Sequence, residues 1–127
     1  MEIDGLDHVA LTVADVEATC AFYERVLGMR VVRAAGGRTA LHFGAQKINL
    51  HQAGREFEPK ARQPVPGAGD LCFLTATPIA AVLAHLRDQT VEVELGPVQR
   101  DGATGQLTSV YFRDPDGNLL EVANSAA

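Results

Sequence analysis

Apolar positions along the chain keep two rhythms, and the switches between them lay out the elements. HVALTV, from His8 to Val13, is aliphatic and β-branched and predicts a strand. Asp15 then reads as an N-cap, and Val16, Cys20, Tyr23 and Leu27 fall at helical intervals before Gly28, a stop signal. Three short strands are predicted next, MRVVRA, RTALHFG and KINLHQ, parted by Gly36-Gly37 and by Gly44-Ala45-Gln46. The order is β-α-β-β-β.

Residues 54–68 carry Pro59, Pro64, Pro66 and Gly67 among few apolar side chains and read as a linker. After it the same order is predicted again. DLCFLTA is a strand, Thr77 an N-cap with Pro78 at the first helical position, and Ile79, Val82, Leu83 and Leu86 an amphipathic helix. VEVELG, LTSVYFRD and NLLEVA complete the set, so one pattern recurs after about 60 residues, an internal duplication. The expectation is an α+β chain of one domain with two βαβββ modules, 4–53 and 69–124. Superposing the halves sets His8 opposite Asp70 and Leu41-His42-Phe43 opposite Val110-Tyr111-Phe112.

Composition narrows the choice of partners. With 127 residues, 46% hydrophobic and 21% charged, the chain has enough apolar surface for a real core. Sixteen acidic against eleven basic residues give a net charge of -5 with the basic ones scattered, which argues against nucleic acid as a partner. Cys20 and Cys72 form no CxxC pair, so reduced thiols and a cytoplasmic location are expected. The acidic start carries no leader pattern, and no later apolar run is long enough to span a membrane.

Glu121 stands out against this background. It lies between Leu120 and Val122 in the last predicted strand, on one face with Leu119 and Ala123. An unpaired carboxylate in such surroundings costs several kcal/mol, on the order of 2–7 for a polar group and more for a charge, unless it is protonated, paired or bound to a metal. The Asp114-Pro115-Asp116-Gly117 run just before it is turn chemistry.

LDHVALTVADVEATCAFYERVLGMRVV at the front and SVYFRDPDGNLLEV at the back resemble the vicinal oxygen chelate superfamily, which includes glyoxalase I, fosfomycin and bleomycin resistance proteins and extradiol dioxygenases. The resemblance covers nearly the whole chain. It implies two modules whose sheets curl into a partly closed cup around a divalent metal, with His8 and Glu121 as ligands, and a chain that pairs into homodimers. It also marks a departure, because Asp70 stands where the superfamily has its second-module histidine. Asp70 is either a ligand, a neighbour that holds water, or the carboxylate that moves a proton. In KINLHQ, counting from the superfamily's glutamate favours Asn49, whereas ligand chemistry favours His51 on the same strand face.

Two imidazoles and a carboxylate suit Fe, Mn, Ni, Co or Zn and leave coordination positions for a small-molecule substrate. Ser109 and Tyr111 are expected near that substrate by resemblance to fosfomycin resistance proteins, with Arg113 as a forked anion contact. His42, out of phase with Leu41 and Phe43, and His85, on an amphipathic helix, are given no role. The leading expectation is a metal-dependent lyase or isomerase of glyoxalase type. The alternatives are an extradiol dioxygenase using Fe(II) and a metal-free drug-binding protein.

Overall fold

The computed structural model describes residues 1–126. The chain divides into two compact units, Met1–Gly67 and Ala68–Ala127. In the first, β1 (His8–Val13), α1 (Val16–Leu27), β2 (Arg30–Arg33), β3 (Thr39–Phe43) and β4 (Gln46–Gln52) follow one another. The second repeats the order with β5 (Asp70–Leu74), α2 (Ile79–Asp88), β6 (Leu95–Asp101), β7 (Gln106–Arg113) and β8 (Leu119–Ser125).

Each unit is a four-stranded mixed sheet with the same topology, β1-β4-β3-β2 and β5-β8-β7-β6. The first strand of each runs parallel to the last, and the other pairs are antiparallel. These are tandem βαβββ modules, as the duplication predicts. Among the described residues no helix is long and apolar enough to cross a membrane.

Helix α1 forms where its local signals agree. The Asp15 carboxylate accepts from Ala18 N–H at 3.0 Å, and Gly28 closes the helix in the left-handed region at φ 66°. Cys20, Tyr23 and Val26 are buried on one side of it. On the sheet, Leu11, Val13, Leu41, Ile48 and Leu50 share one face and supply the rest of this core. The period-2 alternation leaves His8, Ala10, Thr12, Ala40, His42, Lys47, Asn49 and His51 on the other face. In the second unit Val82 and Leu86 of α2 are buried together with Val110, Phe112, Leu120 and Val122.

Two local expectations are corrected. Thr77 does not cap α2, which starts at Ile79 with Pro78 before it. The cap comes from 45 residues away, where the Asn124 side-chain oxygen accepts from Ile79 N–H at 2.9 Å. VEVELG alternates as a strand would, yet the ladder begins only at Leu95 and runs to Asp101. Pairing with β7 decides this, since its partners from Gln106 to Ser109 lie opposite Val98 to Asp101, past a bulge between Leu95 and Val98.

Candidate functional site

Three strands of the second unit bring polar groups to one face. Cys72 on β5 and Tyr111 on β7 both lie opposite Glu121 of β8, and Ser109 is opposite Ala123. Asp70, opposite Leu119, takes the same face as Cys72 two residues earlier. Ser109 is fully buried and its hydroxyl donates to Glu121 Oε2 at 2.5 Å, a charge-assisted bond at the short end of the range. The Cys72 thiol neighbours the Glu121 carboxylate across the β5–β8 pair. Cys72 is exposed on this face, yet partial desolvation first, and then the neighbouring Glu121 charge, push its thiol up to about 11, so it is neutral near neutral pH. The Ser109 hydroxyl therefore compensates the carboxylate and holds it in place.

Tyr111 and Arg113 are engaged as well. Tyr111 Oη accepts from Arg100 Nε at 3.0 Å, and the Arg100 guanidinium carbon stands 5.5 Å from the ring centre. Arg113 makes a forked contact with Glu94, at 2.9 and 3.0 Å, and donates to the Gly117 carbonyl at 3.1 Å. Its fork is thus spent on Glu94 and the turn, leaving little with which to grip an anion. The same hydrogen bond holds the Glu94 carboxyl below the usual carboxylate range.

The turn that aims β8 is itself built of hydrogen bonds. Asp114 Oδ1 accepts from Asp116 N–H at 2.9 Å and Asn118 N–H at 3.0 Å, and Asp114 Oδ2 accepts from the Asn118 amide at 2.8 Å. Asn118 Oδ1 accepts from Gly69 N–H at 2.6 Å, which ties the entry of β5 to the entry of β8. Asp70 and Glu121 are each positioned by the strand that leaves this knot.

In the first unit, His8 Nδ1 lies 2.9 Å from Asp7 Oδ2. A ring N–H donated there leaves Nε2 with its lone pair outward, the carboxylate–histidine arrangement that suits a metal ligand. His51 has the opposite polarity. Its Nδ1 accepts from the Phe57 backbone N–H at 3.1 Å, so in the neutral ring the proton sits on Nε2 and no lone pair is left for a metal. Strand register separates the two histidines too: His8 pairs with Lys47 and Thr12 with His51, a step of four residues or roughly 13 Å along the sheet. Asn49 is two residues nearer. His8 and Glu121 fit metal ligation by their hydrogen bonding, and His51 does not. Among the described residues no three His, Cys, Asp or Glu side chains cluster as a metal centre.

The first unit also carries a cavity of about 180 Å³ on its open face, lined among others by Arg38, His42, Lys47, Asn49, His51 and Phe57. His42, which alternates against Leu41 and Phe43 and is expected to have no role, lies on the open face and lines this cavity. The signal lay in the β3–β4 register, which sets His42 opposite Lys47 and Ala40 opposite Asn49. Phe57 belongs to the linker, so that segment contributes a wall, while its Lys60 is paired with Glu56 and Glu58 at 3.3 and 3.4 Å.

Residues 5–122 match the model of the glyoxalase/bleomycin resistance protein/dioxygenase superfamily. The chain belongs to this superfamily. Within it, the chain is 54% identical over 123 residues to virulence protein STM3117 of Salmonella typhimurium, covering 97% of this chain and 85% of that protein. The crystal structure of STM3117 superposes with a TM-score of 0.97 at 52% identity, over 99% of this chain and 100% of that one. The glyoxalase domain-containing protein RDO1 of Mycosarcoma maydis is 50% identical over 124 residues, 98% of this chain and 70% of the relative. More distant is a lactoylglutathione lyase from Agrobacterium tumefaciens, another member of the fold at 26% identity and a TM-score of 0.75, with 98% and 96% covered.

Proposed function

We propose that this superfamily member is a metal-dependent lyase or isomerase of glyoxalase type, acting on a small substrate that presents two neighbouring oxygens. The observation that carries the reading is Glu121, a half-buried carboxylate that the fully buried Ser109 hydroxyl anchors through Oε2. A carboxylate held by a single hydroxyl keeps acceptor capacity for a cation, which suits a ligand. The likeness to a lactoylglutathione lyase supports the choice of reaction class.

His8 in the first unit and Glu121 in the second are each proposed as a ligand for a divalent ion, of Fe, Mn, Ni, Co or Zn type. Such an ion supplies, when bound, positive charge that stabilises the anion developing on the two substrate oxygens. The rest falls to the chain. Asp7 keeps the His8 ring turned with Nε2 outward. Ser109 fixes the angle of the Glu121 carboxylate. Asp70, exposed on the same strand face as Cys72, is the base that takes a proton from one carbon and returns it to the next. Tyr111, restrained by Arg100, forms a wall against which the substrate is oriented.

The experiment is elemental analysis of protein purified without chelators or a metal-affinity tag, for wild type beside His8→Ala and Glu121→Ala. Stoichiometric metal in the wild type and its loss in both variants is the expected result. Absence of stoichiometric metal in the wild type, even after reconstitution, would sink the proposal.

A further inference from the structure

The cavity of the first unit is chemically one-sided. Arg38 and Lys47 line it, with the imidazoles of His42 and His51 and the amide of Asn49, and no aspartate or glutamate does. This is a local reversal in a chain whose net charge is -5. Small residues, Ala34 and Ala40, help line it, so the long side chains around them enclose space instead of filling it.

The donors are prepared for a ligand. The Arg38 guanidinium lies over the Phe57 ring, its carbon 4.5 Å from the ring centre, a cation–π contact that consumes none of its N–H donors. Phe57 is held in turn, its backbone N–H bonded to His51 Nδ1 and its ring 6.0 Å from the imidazole centre. That same bond makes His51 a donor through Nε2. Lys47 sits between His8 on β1 and His42 on β3, directly opposite both.

We propose that this cavity binds the oxyanion head of the substrate, a carboxylate or a phosphate-type group, with Arg38 and Lys47 as its charge partners and His51 Nε2–H and the Asn49 amide as hydrogen-bond donors. Phe57 is the apolar wall for the part of the molecule next to that head. The inference rests on the reading of the chain as an enzyme for a small chelating substrate, and narrows that substrate to an anion. His51 is then a substrate contact, in place of the metal ligand that its residue type suggested. The Lys47–His8 adjacency on neighbouring strands puts the anion site beside a proposed metal ligand within one sheet.

The test is binding and needs neither metal nor turnover. Full-length, metal-free ¹⁵N-labelled protein is titrated with inorganic phosphate and, separately, with acetate at constant ionic strength in chloride, following backbone amides by NMR. Saturable shifts centred on Arg38, Asn49 and Phe57 are expected, and the anion that saturates at lower concentration identifies the head group. Affinity should fall about tenfold or more in Arg38→Gln and in Lys47→Gln, and be partly retained in Arg38→Lys. Long-range ¹H–¹⁵N spectra of the histidine rings should show the His51 proton on Nε2. Shifts that never saturate with either anion, or equal affinity in the glutamine variants, overturn the site. A proton on His51 Nδ1 overturns the donor assignment. Metal analysis of the same glutamine variants separates the two readings, because loss of anion binding with metal content intact bears on this cavity alone.

Discussion

Asn118→Ala is the perturbation that reaches furthest through the second unit. Asn118 is 1% exposed and joins two things that nothing else joins as directly, the Asp114 carboxylate at 2.8 Å and the Gly69 N–H at 2.6 Å. Truncation removes both bonds. Asp114, 6% exposed, keeps its two bonds to backbone amides but loses the one on Oδ2, while Gly69 is half-buried and water can approach it. An unsatisfied buried partner costs about 1–3 kcal/mol, more when charged, so the sum is about 2–4 kcal/mol. For a chain of this size that corresponds to a midpoint lower by on the order of 10 °C. Urea unfolding followed by far-UV circular dichroism gives the free energy, with an unchanged m-value showing that only stability has moved. Asn118→Asp is the companion variant, since it keeps an acceptor for Gly69 but sets a second carboxylate against Asp114, and it should be no more stable than the alanine. A loss below about 0.5 kcal/mol for Asn118→Ala would refute the reasoning. It would show that the bonds kept in the variant are enough to hold the turn: Asp114 N to the residue-118 carbonyl, Gly117 N to Asp114 O, Leu119 N to Gly69 O, and the two backbone amides on Asp114 Oδ1.

Two further predictions follow from the same sheet. Cys72, with its folded pKa raised to about 11, favours its protonated form in the native state, so its contribution to stability is full below about pH 9 and is lost as pH rises toward 11. In metal-free protein, alkylation of Cys72 should stay slow through pH 9 and speed up in Glu121→Gln, which removes the neighbouring negative charge; an unchanged rate profile would count against the influence of Glu121 on the thiol. Gly96→Ala places a methyl group 2.5 Å from the Ser109 carbonyl oxygen and 2.9 Å from Val110 Cα at a backbone φ of +119°, so neither partner can yield. It should destabilise by about 2–4 kcal/mol or prevent folding, and wild-type-like thermal unfolding would refute the clash.

Much of this architecture was legible in the chain because local and global signals agree. HVALTV, KINLHQ and NLLEVA alternate in the phase that the sheets use, and Asp15 and Gly28 bracket α1 by their own side-chain and backbone chemistry. What escaped was set by partners far away in sequence. VEVELG alternates convincingly, but strand identity there belongs to the pairing with β7, so the ladder starts at Leu95. His42 looked idle because its own strand was judged alone, and only the register with Lys47 puts it on the cavity face. His51 shows a subtler limit. Residue type makes imidazole a general metal ligand, whereas a single backbone donor from Phe57 fixes which nitrogen is available, and no spacing rule encodes that. Glu121 was conspicuous as a carboxylate among apolar residues, and the Ser109 hydroxyl that secures it lies one hairpin away.

Asn124 has a consequence for how the second unit is made. Its side chain accepts from Ile79 N–H and donates to the Thr75 and Thr77 carbonyls at 2.9 and 2.8 Å, so the last strand supplies both the cap of α2 and the closure of the loop before it. During vectorial synthesis α2 leaves the ribosome well before residue 124 exists, with its first turn unsatisfied and its Val82–Leu86 stripe unburied. The helix is therefore completed only once β8 has been made, and a nascent chain stopped short of β8 leaves that stripe exposed.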